Sequence, residues 1–284
     1  MRWQKGRRSQ NIEDRRGRSG TRRAVAGGGI GMVAIAVVAL LLGVDPGALL
    51  QVGGQLTGGP AQQPDAATSQ VQDKQKEFVS VVLADTEDTW KPIFKQLGRQ
   101  YQEPKLVIFS GSTDSACGYA SAAMGPFYCP GDLKLYIDLN FYSELQNKFG
   151  APGDFAQAYV VAHEVGHHVQ TLLGISDQVQ NAKRGVNETQ RNEIQVRMEL
   201  QADCLSGVWA NHAHRTRNLL EQGDIEEGLR AAAAIGDDTL QRKSRGYVVP
   251  ESFTHGSAKQ RQTWFFRGLE SGDINQCDTF SGQI

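Results

Sequence analysis

Cysteine is scarce in this 284-residue chain, with four residues, and no two of them have CxxC spacing. That excludes a zinc ribbon and a thioredoxin-like redox motif. The main body also lacks a basic surplus. Residues 1–23 hold nine Lys or Arg (Arg2, Lys5, Arg7, Arg8, Arg15, Arg16, Arg18, Arg22, Arg23) against Glu13 and Asp14, which leaves 21 basic and 29 acidic residues in the remainder, a net of −8. A body of that sign is not a nucleic-acid binder. There is no internal repeat and no nucleotide-binding loop, since the glycines at 27–31 lie inside an apolar run where a phosphate cradle has no place. Strand-like sequence is confined to "KLVIFS" (105–110) and "LKLYIDL" (133–139), so the fold is expected to be α+β and mainly helical.

One long apolar run is present. Residues 24–44, "AVAGGGIGMVAIAVVALLLGV", carry no charge, and about 20 apolar residues suffice to cross a bilayer as a helix. Flanking Lys and Arg stay on the cytoplasmic side. This predicts a single transmembrane helix in the cell (inner) membrane, with residues 1–23 as a basic cytoplasmic tail and residues from 45 onward outside. A cleaved signal peptide is the competing reading. No small-x-small cleavage site and no cysteine for lipid attachment follow Val44, so an uncleaved anchor is expected.

Residues 45–75, rich in Gly, Gln, Ala and Pro, read as a flexible tether. A domain is expected over 76–284. All four cysteines fall there, in the exported part, where disulfides can form. Four cysteines allow three pairings, and sequence does not choose strictly among them. The favoured one joins Cys117 to Cys129 in a short loop and Cys204 to Cys277, with free buried thiols as the alternative.

Within the domain, Trp90, Ile93, Phe94 and Leu97 recur at i, i+3, i+4 and i+7, the core stripe of an amphipathic helix. "LKLYIDL" alternates, with Leu133, Leu135, Ile137 and Leu139 on one face. Pro130, Gly131 and Asp132 supply turn residues before it, which predicts an antiparallel hairpin with 105–110. Helices are expected from Asp154 as N-cap to Gly174, over about 189–215, from 224 to near Gly236, and from Ser257 to Leu269 with Trp264, Phe265 and Leu269 in the core.

The densest polar chemistry is in "VVAHEVGHHVQ" (160–170). Residues four apart share a helix face, so His163 and His167 point the same way and can hold one metal ion. Glu164, about 100° round the helix, is placed to lean over a water at that metal. A catalytic zinc keeps three protein ligands and leaves a further position open. In "VRMELQADCLSG" Glu199 and Asp203 again stand at i and i+4, so one can reach the metal while the other accepts a hydrogen bond from the outer nitrogen of a ligand histidine. His168 lies off the ligand face and reads as a surface or supporting histidine. His212 and His214, two apart, read as solvated.

HExxH followed by ExxxD resembles the gluzincin metallopeptidases, and "AHEVGHHVQ…MELQADCLSGVWA…SFTHGSAKQR", with the opening "MRWQKGRRSQNIEDRRG", is similar to the membrane-anchored bacterial neutral zinc metallopeptidases. The resemblance implies a zincin-like domain with a small antiparallel sheet. It makes His163, His167 and Glu199 ligands of Zn2+, Glu164 the general base and Asp203 the supporting carboxylate. The expected activity is hydrolysis of peptide bonds in extracytoplasmic proteins or peptides, with a catalytically inactive zinc-stabilised binding module as the alternative. A hairpin strand at a sheet edge would hold the substrate peptide. His255, in a loop between helices and followed by Gly256, is the candidate donor to the oxyanion. The expected partners are a peptide or protein substrate and, through one helix, the lipid bilayer.

Overall fold

The computed structural model describes residues 1–17 and 66–284. Met1–Arg18 and Gln72–Ile284 form one compact unit. Its sheet has the order β1–β2–β6–β5, with β1 Ile12–Asp14, β2 Lys105–Phe109, β6 Lys134–Asp138 and β5 Phe127–Cys129. A separate hairpin pairs β3 Ser112–Ser115 with β4 Gly118–Ser121. The helices are α1 Ala66–Gln96, α2 Asn140–Asn147, α3 Asp154–Leu172, α4 Ile175–Ala182, α5 Glu188–Arg217, α6 Asp224–Ala234, α7 Asp237–Arg245 and α8 Ala258–Ser271.

The sheet corrects the expected hairpin. β2 and β6 run parallel, with Leu106 opposite Leu135 and Ile108 opposite Ile137, so the sheet is mixed rather than antiparallel. Parallel neighbours need a long connection, and the segment between them is long enough to hold β3, β4 and β5. The turn at Pro130–Asp132 joins β5 to β6, which are the antiparallel pair. Leu135, Ile137 and Leu139 enter the main core as the alternation predicts. The other face is covered too, where Tyr136 joins Val107, Phe109 and Cys129 in a second cluster.

The first residues are not a detached tail. β1 pairs with β2, and Met1 and Trp3 are buried in the main core, Trp3 edge-on to Phe78 at 5.3 Å. Their arginines are taken up by the domain, with Arg7 on Glu87 and Asp88 and Arg16 on Asp14. Residues 1–17 and 72–284 therefore share one side of any membrane. A single crossing that puts residues 1–17 opposite the domain is inconsistent with this packing, and residues 18–23 lie outside the described residues. The apolar run 24–44 lies outside the described residues, and among the described residues no helix is long and apolar enough to cross a membrane. Of the expected tether, residues 45–65 lie outside the described residues, and residues 66–75 belong to α1, which begins at Ala66. Trp90, Ile93 and Phe94 are buried on α1, whereas Leu97, just past its end, is exposed.

Three helices build the functional face. Asp154 is the first residue of α3 rather than its cap, which is Gly153, and Gly174 (φ 80°) terminates it in the left-handed region. α5 starts at a capping box between Asn187 and Gln190. It packs closely on α3, where a Cβ at Gly166 would stand 3.0 Å from the Ala202 carbonyl, and more closely still on α8. There a Cβ at Gly268 would stand 1.9 Å from the Cys204 carbonyl. Two disulfides, Cys117–Cys129 and Cys204–Cys277, complete the frame in the favoured pairing.

Candidate metal centre

His163 and His167 stand one turn apart on α3 and face Glu199 on α5. The Nε2 atoms lie 3.2 Å and 3.4 Å from Oε2 of Glu199. One ligand atom from each residue lies within 4.8 Å of the others. The close α3–α5 approach at Gly166 allows this convergence, since both helices must bring short side chains to one point.

The outer nitrogen of each imidazole has its own acceptor. His163 Nδ1 donates to Asp203 Oδ1 at 2.9 Å. Asp203 also accepts from the Tyr159 hydroxyl and from Arg261, through Nε at 2.9 Å and Nη2 at 3.0 Å. His167 Nδ1 donates to Gln170 Oε1 at 2.8 Å. Gln170 in turn donates to Gln201, which donates to the Cys277 carbonyl beside the second disulfide. Fixing the proton on both Nδ1 atoms leaves both Nε2 lone pairs for a metal.

The charges also favour a cation. Burial works against charge on Glu199, yet the facing histidines hold it well below the usual carboxylate range. Burial likewise opposes Asp203, but Arg261 and His163 outweigh it and lower its pKa. His163 is disfavoured as a cation by burial, and still Asp203 and Glu199 push it up to about 9. The space between these groups is thus one where positive charge is stabilised. Two imidazole nitrogens and one carboxylate oxygen, with their supporting hydrogen bonds, are the donor set of a catalytic zinc site.

The centre opens into a cleft of ≈ 780 Å³ that Glu164, the neighbour of His163, also lines. Phe127 and Tyr128 of the edge strand β5, and Phe141 and Phe149 from α2 and the loop after it, form much of its apolar wall. His255 lines the same cleft. Its loop is folded round Asp237, whose Oδ2 accepts the backbone N–H groups of Thr254, His255 and Gly256 at 2.7, 2.6 and 3.0 Å. His255 Nδ1 lies 3.3 Å from Asp237 Oδ1, an interaction that raises the His255 pKa.

Two histidines differ from their reading. His168 is fully buried, between the Gln102 carbonyl (2.6 Å) and the Tyr128 hydroxyl (3.1 Å), and burial pushes its pKa down to about 4. His212 is bonded to the Gly272 carbonyl at 2.9 Å rather than solvated, whereas His214 is exposed. A second set of carboxylates, Asp154, Asp224 and Glu227, is a different case. The Met1 amino group, 2.8 Å from Asp154 and 3.3 Å from Asp224, already supplies the positive charge there.

Residues 1–280 match the family described as "Putative neutral zinc metallopeptidase". The chain belongs to this family. It is 49% identical over 294 residues to the uncharacterized protein YpfJ of Escherichia coli (strain K12), covering 100% of both chains. It is also 41% identical over 264 residues to the uncharacterized protein Rv2575 of Mycobacterium tuberculosis (strain H37Rv), covering 86% of this chain and 85% of the relative. No solved structure matches the chain.

Sequence reading missed Tyr159, Gln170, Asp237 and Arg261. Gln170 is three residues from His167 and so on a shared face, a usable signal. Arg261, buried at 2% exposure, stands three and four residues before Trp264 and Phe265 and so on the apolar face of its helix, which marks it as a buried cation but does not name Asp203 as its partner.

Proposed function

We propose that the chain is a zinc-dependent peptidase of extracytoplasmic proteins or peptides. The observation that carries this is the convergence of His163 Nε2, His167 Nε2 and Glu199 Oε2 at the base of a cleft that Glu164 also lines. When bound there, a zinc ion supplies Lewis acidity toward a water molecule and a carbonyl oxygen. Glu164 takes the proton of the attacking water and delivers it to the leaving amine. His255, held by Asp237, donates to the oxyanion of the tetrahedral intermediate. The free edge of β5 offers main-chain groups to an extended substrate. Asp203 and Gln170 hold the imidazoles in the ligating tautomer, and Arg261 holds Asp203 as an anion. The two disulfides support an oxidising compartment.

The test is cleavage of a mixed peptide library by purified protein. The reading requires loss of cleavage with a zinc chelator and recovery on adding zinc. Cleavage that persists in chelator and at undetectable metal content would overturn it.

A further inference from the structure

A carboxylate ligand has two oxygens, and their other partners decide how many coordination positions it fills. In Glu199 the two oxygens are not equivalent. Oε2 faces both imidazoles, while Oε1 accepts a hydrogen bond of 2.6 Å from Nε2 of Gln195. Gln195 stands four residues before Glu199 on α5 and so on the same face.

The Gln195 amide has only one workable orientation. Its Oε1 accepts from the ammonium of Lys183, just past the end of α4. An ammonium offers donors alone, so the amide must turn its oxygen to Lys183 and its nitrogen to Glu199. A turned amide would set N–H against N–H on one side and oxygen against carboxylate on the other. Lys183 and Glu199 thus agree on the amide's orientation, and Lys183 anchors it against Glu199.

We propose that Gln195, oriented by Lys183, is a positioning residue that limits Glu199 to a single ligand oxygen and so keeps a coordination position clear for water and substrate. The proposal rests on the reading of His163, His167 and Glu199 as the metal centre. Supporting hydrogen bonds of this kind orient metal ligands and commonly alter metal affinity 10–100-fold, roughly, when removed.

Cobalt(II) loaded into the full-length chain tests it, because its visible absorption is strong in four-coordinate and weak in five-coordinate sites. The wild type should give the strong four-coordinate spectrum. Gln195→Met and Lys183→Met should each move toward the weaker spectrum as the released Oε1 reaches the ion, and Lys183→Arg should keep the wild-type one. A merely structural role would lower the melting temperature and leave the spectrum alone. If Gln195→Met does not fold, Lys183→Met decides, since Lys183 lies at the end of a short surface helix. A folded variant of either kind with the wild-type spectrum overturns the proposal, as does a wild type that is already five-coordinate. Failure of the metal-centre reading itself looks different: the wild type would bind no cobalt, or His163→Ala would bind it equally well.

Discussion

At the residue scale, Asp237 gathers three successive backbone N–H groups and so fixes where His255 can stand. A donor held in this way acts on negative charge that develops only during the reaction, so its removal should affect turnover more than folding or metal content. His255→Ala is expected to keep its zinc and lose about 100-fold in turnover. Steady-state kinetics with metal analysis checks this, and a loss below about threefold would reject the role. Helical spacing alone pairs His163 with His167 and Glu199 with Asp203, each pair on one face, while the choice of Glu199 as the carboxylate that joins the imidazoles comes from the family resemblance and agrees with the cluster His163, His167 and Glu199. The roles of Arg261 and Asp237 could not be read from sequence. They act across elements far apart in the chain, and spacing within one helix, which does put Arg261 on the face of Trp264 and Phe265, names no partner on another element.

At the scale of elements, the α5–α8 crossing depends on the absence of a side chain. A methyl at position 268 would meet the Cys204 carbonyl at 1.9 Å. Gly268→Ala should therefore cost about 1–3 kcal/mol by overpacking, lowering the midpoint of thermal unfolding by roughly 2–12 °C. The attachment of β1 makes a second prediction. Arg15 and then Lys134 hold Glu13 down to about 2, and Arg16 chiefly holds Asp14 below its ordinary value. Carboxylates with lowered pKa stabilise the fold above their unfolded values, near 4, and lose that contribution as the pH falls through the folded ones. The protection of the Ile12–Asp14 amides, taken as exchange relative to the intrinsic rate at each pH, should accordingly fall between about pH 4 and 2, before the core helices lose theirs. Unchanged protection factors across that window would show that the ion pairs do not hold the strand. The long helices were legible from periodicity, and the end of α3 from Gly174. The parallel β2–β6 pairing was not, because alternation reports which face of a strand is buried and says nothing about the direction of its neighbour.

At the scale of the whole molecule, the first 17 residues and the domain are one folding unit. Their positive charge read as a solvated tail, since sequence shows the arginines without the carboxylates Glu87, Asp88 and Asp73 that meet them from α1. Deleting residues 1–17 removes an edge strand together with buried Met1 and Trp3. The truncated protein should lose its cooperative thermal transition by circular dichroism, whereas a true tail could be removed without effect. The central claim is that this unit holds a metal in order to cleave peptide bonds, and Glu164 separates the two functions because it lines the cleft without being one of the three converging ligands. The most direct measurement is peptide cleavage and zinc content in purified wild-type and Glu164→Gln protein. The account predicts cleavage by the wild type, and about one zinc per chain with no detectable cleavage in Glu164→Gln. A Glu164→Gln protein that cleaves as fast as the wild type would contradict it.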